Sequence, residues 1–200
     1  MTHSLHRTGD ASSLERDYVI LAMLAKGIND SAPAASERLM RAGAIFKKHG
    51  PVNIMMESLW TISPVITVVY DDENKVKQAL RALKEADLGI SIVVSGLLSG
   101  IQAATREAGL SMHTVHLSLG IFGCKDKLPR SEVLDLTTMC GHHCISPANV
   151  AIQVNRIRNL GVPVDAAAAE LAKPCICGIF NTSRAAALLM QLAEGDDKGL

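Results

Sequence analysis

The sequence predicts an α/β fold: a central β-α-β-α-β sandwich with additional N- and C-terminal helices. Three observations carry that expectation. Residues 64–70 form a β-branched run, residues 71–83 follow as a capped amphipathic stretch, and residues 89–95 form a second apolar run, which together read as a β-α-β unit. A further helix-then-strand pattern over 97–121 extends the unit. Segments of helical spacing, with start and stop residues of their own, flank this middle on both sides.

The elements follow in chain order. Ser12 and Glu15 stand at capping-box spacing, and Leu14, Tyr18, Leu21 and Leu24 then recur at helical intervals up to Gly27, predicting a first helix. A second helix is predicted over 33–49, with Leu39, Ala42 and Phe46 on one face, Lys47, Lys48 and His49 at its negative end, and Gly50-Pro51 to stop it. Residues 52–62 lack a clean period and are read as a strand. Asp71-Asp72 caps a helix carrying Val76, Leu80 and Leu83. Strand 89–95, a helix over 97–108 closed by Gly109, and a third central strand over 112–121 complete the middle.

Ser131 is read as the cap of a short helix that delivers the chain to Cys140. Ser146-Pro147 combines an oxygen that accepts an orphan amide with a residue suited to the first helical position. That helix should turn Val150, Val154 and Ile157 inward and end at Gly161. An alanine-rich helix then runs from Pro163 to Ala172, and Asn181 caps a last one through Leu188, Leu189 and Leu192. A frayed tail is expected from Gly195.

The length suits a single globular domain over 1–200, with 1–50 as a helical N-terminal layer and 124–194 as a cysteine-containing helical region. No repeat or low-complexity linker divides it. Twenty basic residues balance twenty acidic ones, and one tryptophan, two tyrosines and three phenylalanines leave little stacking surface, so no nucleic-acid partner is expected. The polar first ten residues do not read as a secretory leader, and no apolar run reaches about 18 residues, so a cytoplasmic protein without membrane association is expected. With 48% hydrophobic and 20% charged residues, more apolar surface is present than a small sheet covers. A homodimer that buries an N-terminal helical face follows as an expectation.

The chemically specific feature is the cysteine pattern. Four of five cysteines form two tight pairs, Cys140-Gly-His-His-Cys144 and Cys175-Ile-Cys177, each just before a predicted helix. Thiolates facing helix N-termini sit in a positive field that favours metal binding or reaction. The sequence therefore predicts a cytoplasmic metal-binding protein with Cys140, Cys144, Cys175 and Cys177 as ligands, assembled over one end of the sheet. An iron-sulfur cluster with a redox or small-molecule role is preferred, because four sulfurs are present without any histidine. Zinc is the alternative, with His142 or His143 as a nitrogen ligand. Cys124, at the end of the predicted third strand and followed by Lys125 and Lys127, is a candidate third or fourth thiolate and equally a candidate core residue.

Other readings stand beside it. Free cysteine is a buried residue type, so a non-catalytic small-ligand-binding or regulatory homodimer with passive thiols is also consistent. Metal-free thiol chemistry with a histidine base, or a CxC redox pair, is a third. Ser95-Gly-Leu-Leu-Ser-Gly100, between strand and helix, has the placement of an anion cradle but lacks the phosphate-loop lysine, and reads first as a structural turn. His113 and His116 fall on opposite faces of the predicted strand and do not form a pair.

Overall fold

A computed structural model describes residues 6–195. The tail expected after Gly195 lies outside the described residues. Among them the chain folds into eight α-helices and one four-stranded antiparallel sheet. A single helical turn, α1 (Ala11–Leu14), starts where the Asp10 carboxylate accepts the Ser13 N–H. The chain then turns into β1 (Tyr18–Met23) rather than continuing as the predicted first helix. Leu14, Tyr18, Leu21 and Leu24 do match a helical period, but Tyr18 to Met23 is an unbroken apolar run. A strand covered on both faces shows such a run instead of alternation, and Tyr18 through Ala22 are all fully buried.

Helix α2 (Ala35–Lys48) buries Leu39, Ala42 and Phe46 and places Lys47 and Lys48 in its last turn. The strand expected over 52–62 is realised only as β2 (Asn53–Ile54), after which Glu57–Leu59 forms a 3-10 turn. There the Trp60 indole donates to the Met55 carbonyl at 3.0 Å, fixing the turn. Strand β3 (Val65–Tyr70) and α3 (Glu73–Ala86) follow, the Asp72 carboxylate accepting the Asn74 N–H at 2.7 Å. The buried face of α3 is Val76, Ala79, Leu80 and Leu83. Strand β4 (Ser91–Ser95) and α4 (Leu98–Glu107) complete this half.

The strand order is β2-β3-β1-β4, each neighbour antiparallel. Strands β3 and β4 are therefore parallel to each other with β1 between them, the pattern of a split β-α-β unit. Ile20 is opposite Val68 on one side and Val94 on the other. The third central strand expected at 112–121 does not form, and residues 109–128 are exposed. Val115, Leu117, Leu119 and Ile121 do alternate. Gly120 and Gly123, however, adopt φ of 91° and 97°, which break an extended ladder.

Antiparallel register gives the sheet two distinct faces, because opposed residues point the same way. Tyr18, Ile20, Val68 and Tyr70 face α2 and α3, where the Tyr70 hydroxyl donates to the Phe46 carbonyl at 2.8 Å. Val19, Leu21, Thr67 and Val69 face the C-terminal region. That region contains α5 (Ser131–Thr137), α6 (Pro147–Leu160), α7 (Val164–Ala172) and α8 (Thr182–Glu194), packed on one another. Ser146 caps α6 through the Asn149 N–H at 3.1 Å, and Asn181 caps α8 through the Arg184 N–H at 3.0 Å. Among the described residues no helix is long and apolar enough to cross a membrane.

Phe46 is fully buried against the sheet, whereas Ile28 is 84% exposed. Urea unfolding should show Phe46→Ala losing about 3–5 kcal/mol, while Ile28→Ala stays within about 0.5 kcal/mol of the parent. Equal effects at the two positions would contradict the packing described.

Candidate thiol site

Two loops build the site. The first leaves α5, where the Thr138 hydroxyl donates back to the Leu134 carbonyl at 2.7 Å, and closes as a turn in which the His143 N–H donates to the Cys140 carbonyl at 2.9 Å. His143 takes the left-handed corner of this turn, at φ 54°. The second loop leaves α7 and folds tightly, the Gly178 N–H donating to the Cys175 carbonyl at 2.9 Å. Gly178 has φ +66°, and a Cβ there would stand 2.0 Å from the Ile54 carbonyl carbon. Only glycine lets this loop lie on the β2 backbone.

The sheet holds the second loop in place. The Thr67 hydroxyl donates to the Cys177 carbonyl, the Met56 N–H donates to the Ile176 carbonyl at 3.3 Å, and the Asn53 amide donates to the Phe180 carbonyl at 3.0 Å. Thr67 and Asn53 share the sheet face toward the C-terminal region, so the register of β1, β2 and β3 determines where Cys177 sits.

With both loops placed, four sulfurs come together. The Cys175 and Cys177 sulfurs lie 3.6 Å apart, and the Cys177 sulfur is 3.7 Å from His142 Nδ1. Cys140 interacts with Cys175 across the gap between the loops and with Cys144 within its own loop. The Cys140 thiol is pushed well above its usual range by its hydrogen-bonding interaction with Cys175 and by burial. Cys175 receives a lowering interaction from Cys140, but that with Cys177, together with burial, outweighs it and raises Cys175 to about 11. Cys177 is lowered, chiefly by Cys175 and against the cost of burial. The neighbouring sulfurs thus favour the thiolate at Cys177 and disfavour it at Cys140 and Cys175.

A buried charge cluster ties the two loops together. The Arg7 guanidinium pairs with Asp17 Oδ1, donates to the Met139 carbonyl at 2.9 Å, and donates to the Ile179 carbonyl. Met139 precedes Cys140, and Ile179 follows Cys177 by two residues, so one side chain grips both loops. Asp17 Oδ2 pairs with Arg184 at 2.9 Å, and the Asn181 amide donates to Asp17 Oδ1 at 3.1 Å and to the Arg16 carbonyl at 2.8 Å. The three charged side chains are 6%, 0% and 2% exposed for Arg7, Asp17 and Arg184.

Sequence reasoning missed this cluster. Arg7 and Asp17 look like ordinary surface charges near the N-terminus. The available signals were slight: Asp17 directly abuts the apolar run of β1, and Arg184 interrupts the otherwise apolar buried face of α8.

Among the seven residues singled out in the sequence, the structure gathers Cys140, Cys144, Cys175, Cys177 and His142. Cys140, Cys175 and Cys177 are buried, while Cys144, His142 and His143 are exposed, so the cluster opens to solvent on the 142–144 side. Cys124 is exposed in the 109–128 stretch, and forms no hydrogen bond with the other four cysteines among the described residues. His113 is likewise exposed and bonds only its neighbour Thr114, at 2.8 Å, among the described residues. Among the described residues no group of three or more histidine, cysteine, aspartate or glutamate side chains is already arranged to hold a metal ion. Comparison with protein-family models, with curated proteins and with solved structures finds no match for the chain.

Two outcomes follow from this geometry. In metal-free native protein, a short iodoacetamide pulse read by mass spectrometry should modify Cys124 and Cys144 well before Cys140, Cys175 and Cys177; uniform labelling would contradict the burial. Arg7→Met leaves Asp17 with one guanidinium fewer and two loop carbonyls without a donor, and should cost about 3–5 kcal/mol in chemical unfolding.

Proposed function

We propose that the protein is a metal-binding protein whose centre is held by Cys140, Cys144, Cys175 and Cys177. The observation that carries this reading is the meeting of two sequence-distant loops with the Cys175 and Cys177 sulfurs 3.6 Å apart. A metal–thiolate bond of about 2.3 Å in tetrahedral geometry separates two sulfurs by about 3.8 Å. The CxC pair is thus spaced for two thiolates on one metal atom, and Cys140 and Cys144, on the facing loop, would supply the second pair.

Two pairs suit an iron-sulfur cluster of the two-iron kind, in which each iron takes two cysteines. When bound, such a cluster would supply one-electron transfer, and the opening at Cys144 would be the side from which a redox partner or small molecule approaches. A zinc centre is the second reading. It is favoured by His142 Nδ1, 3.7 Å from the Cys177 sulfur, because mixed nitrogen and sulfur donors suit zinc.

In this reading the sheet is the middle layer of an α/β sandwich, with the cysteine loops between it and the C-terminal helices. Five free thiols suit a reducing compartment, so the proposal places the protein in the cytoplasm. It also includes a homodimer. Val115, Leu117, Leu119 and Phe122 are 50–83% exposed, and β4 is an open sheet edge in the same chain. An alternating apolar segment and an unpaired edge are complementary, so a second copy can cover both.

Anaerobic purification with iron, sulfide and zinc analysis and an absorbance spectrum tests the centre. Stoichiometric iron with sulfide, or stoichiometric zinc, is expected. Cys175→Ser and Cys177→Ser should each lose most of the metal while Cys124→Ser keeps it. Folded, metal-free protein after reconstitution with either metal would refute the reading. For the dimer, light scattering should give twice the chain mass, reverting to one chain in Leu117→Ser/Leu119→Ser.

A further inference from the structure

We propose that Arg7 is a positioning residue for the thiol centre: a fixed buried cation whose charge and unused N–H donor offset the negative charge of a metal held by Cys140, Cys144, Cys175 and Cys177. That role rests on the metal-binding reading of the four sulfurs. It goes beyond that reading by naming what compensates the centre.

Four thiolates around one zinc ion leave a net charge of about −2. An oxidised two-iron cluster on four cysteines carries the same charge and becomes more negative on reduction. Cys140, Cys175 and Cys177 are buried, where negative charge is costly unless a partner compensates it. Neither loop brings a cation of its own, since residues 139–145 and 174–180 contain no lysine or arginine. The compensating charge has to come from another part of the fold.

The buried charge cluster has positive charge in excess. Arg7 and Arg184 share the single carboxylate of Asp17, and a second buried guanidinium is disfavoured unless something negative completes it. The two arginines are not equivalent. Arg184 also lies near the carboxylate of Asp10, on the exposed side of the cluster, whereas Arg7 pairs with Asp17 alone among the described residues. The uncompensated charge is therefore at Arg7.

Arg7 Nε supplies the independent observation. It is buried with no hydrogen-bond partner among the described residues, on a side chain only 6% exposed. Buried donors left unpaired are rare in folded proteins. Nε shares one edge of the planar guanidinium with Nη2, and Nη2 is the nitrogen that donates to the Met139 and Ile179 carbonyls. Met139 adjoins Cys140, and Ile179 follows Cys177 by two residues. The unused donor thus lies on the side of both cysteine loops, placed to receive the negative charge that metal binding brings.

Charge variants of the full chain test this, by zinc titration against a competing chelator, or by reduction potential where the protein purifies with iron and sulfide. Arg7→Gln removes the cation and should weaken zinc about tenfold or more, or lower the potential. Arg7→Lys keeps the charge and should recover most of that loss. Asp17→Asn makes the cluster more positive and should tighten zinc about tenfold, or raise the potential. A merely structural role predicts the reverse for Asp17→Asn, because loosening the cluster would loosen both loops. Circular dichroism establishes that each variant is folded, and Asp17→Asn, which preserves the shape of the side chain, decides the matter where Arg7→Gln does not fold. Weaker metal binding in Asp17→Asn, or unchanged binding in Arg7→Gln, would overturn the proposal and leave the metal-binding reading standing. A parent chain that binds neither metal would overturn both.

Discussion

Asp17 sits, fully buried, between the guanidinium groups of Arg7 and Arg184, and most of what is distinctive in this fold depends on that contact. An ionised carboxylate inside a protein is strongly disfavoured unless paired and hydrogen-bonded. Here one carboxylate faces two cations, which leaves excess positive charge to be stabilised by dipoles. Carbonyl oxygens do this: Met139 and Ile179 accept from Arg7, and Thr8 accepts from Arg184. The match is incomplete, since Arg7 Nε is buried without a hydrogen-bond partner among the described residues. Buried ion pairs contribute little net stability compared with a well-packed apolar core, but they tolerate few alternative arrangements. In this chain the arrangement they fix is the relative placement of the N-terminal segment, the head of β1 and both cysteine loops.

The thiol site is thus a consequence of long-range constraint acting on two locally simple loops. Each loop is a tight turn closed by one backbone hydrogen bond, Cys140 to His143 and Cys175 to Gly178. Neither turn brings its sulfurs to the other loop unaided. Contact with β2 through Gly178, the Thr67 bond to the Cys177 carbonyl, and the Arg7 grip on Met139 and Ile179 bring the two loops to a common place. The loop carbonyls are used by these tethers while the thiols are left to interact with one another. That division leaves the backbone for positioning and the side chains for chemistry.

Local chemistry was readable from the sequence wherever a residue's own backbone preference decided the outcome. Asp72, Ser146-Pro147 and Asn181 begin helices where their cap oxygens indicate, and Gly161 ends α6 in the left-handed conformation at φ 63°. The short cysteine spacings likewise pointed to two loops that the fold brings near one another. What local pattern did not reveal was partnership. Tyr18 to Met23 fits a helical stripe and a doubly covered strand equally well, and only pairing with both β3 and β4 selects the strand. Residues 112–121 err in the opposite direction: the alternation is present, but no ladder forms on them. The charge cluster was the least readable, because Arg184 and Asp17 are 167 residues apart and neither carries a local signature of the other.

The position of β1 at the centre of the sheet also determines how the two sides of the sheet relate. Successive strand residues point to opposite faces, so Asp17 turns into the charge cluster beneath the cysteine loops while Tyr18 turns toward Gly96 and Gly100 at the start of α4. Adjacency in sequence therefore becomes separation in space. Energetic coupling between the two faces would require an element with two discrete arrangements that both bias. Strand β1 offers no such freedom: it is paired along both edges, its residues from Tyr18 to Ala22 are at most 1% exposed, and Asp17 is held by three side chains. A rigid shared strand positions what packs on both faces and transmits little between them. Substitutions on the two faces of β1 should accordingly add in their effects on the stability of the folded chain, with little coupling between them.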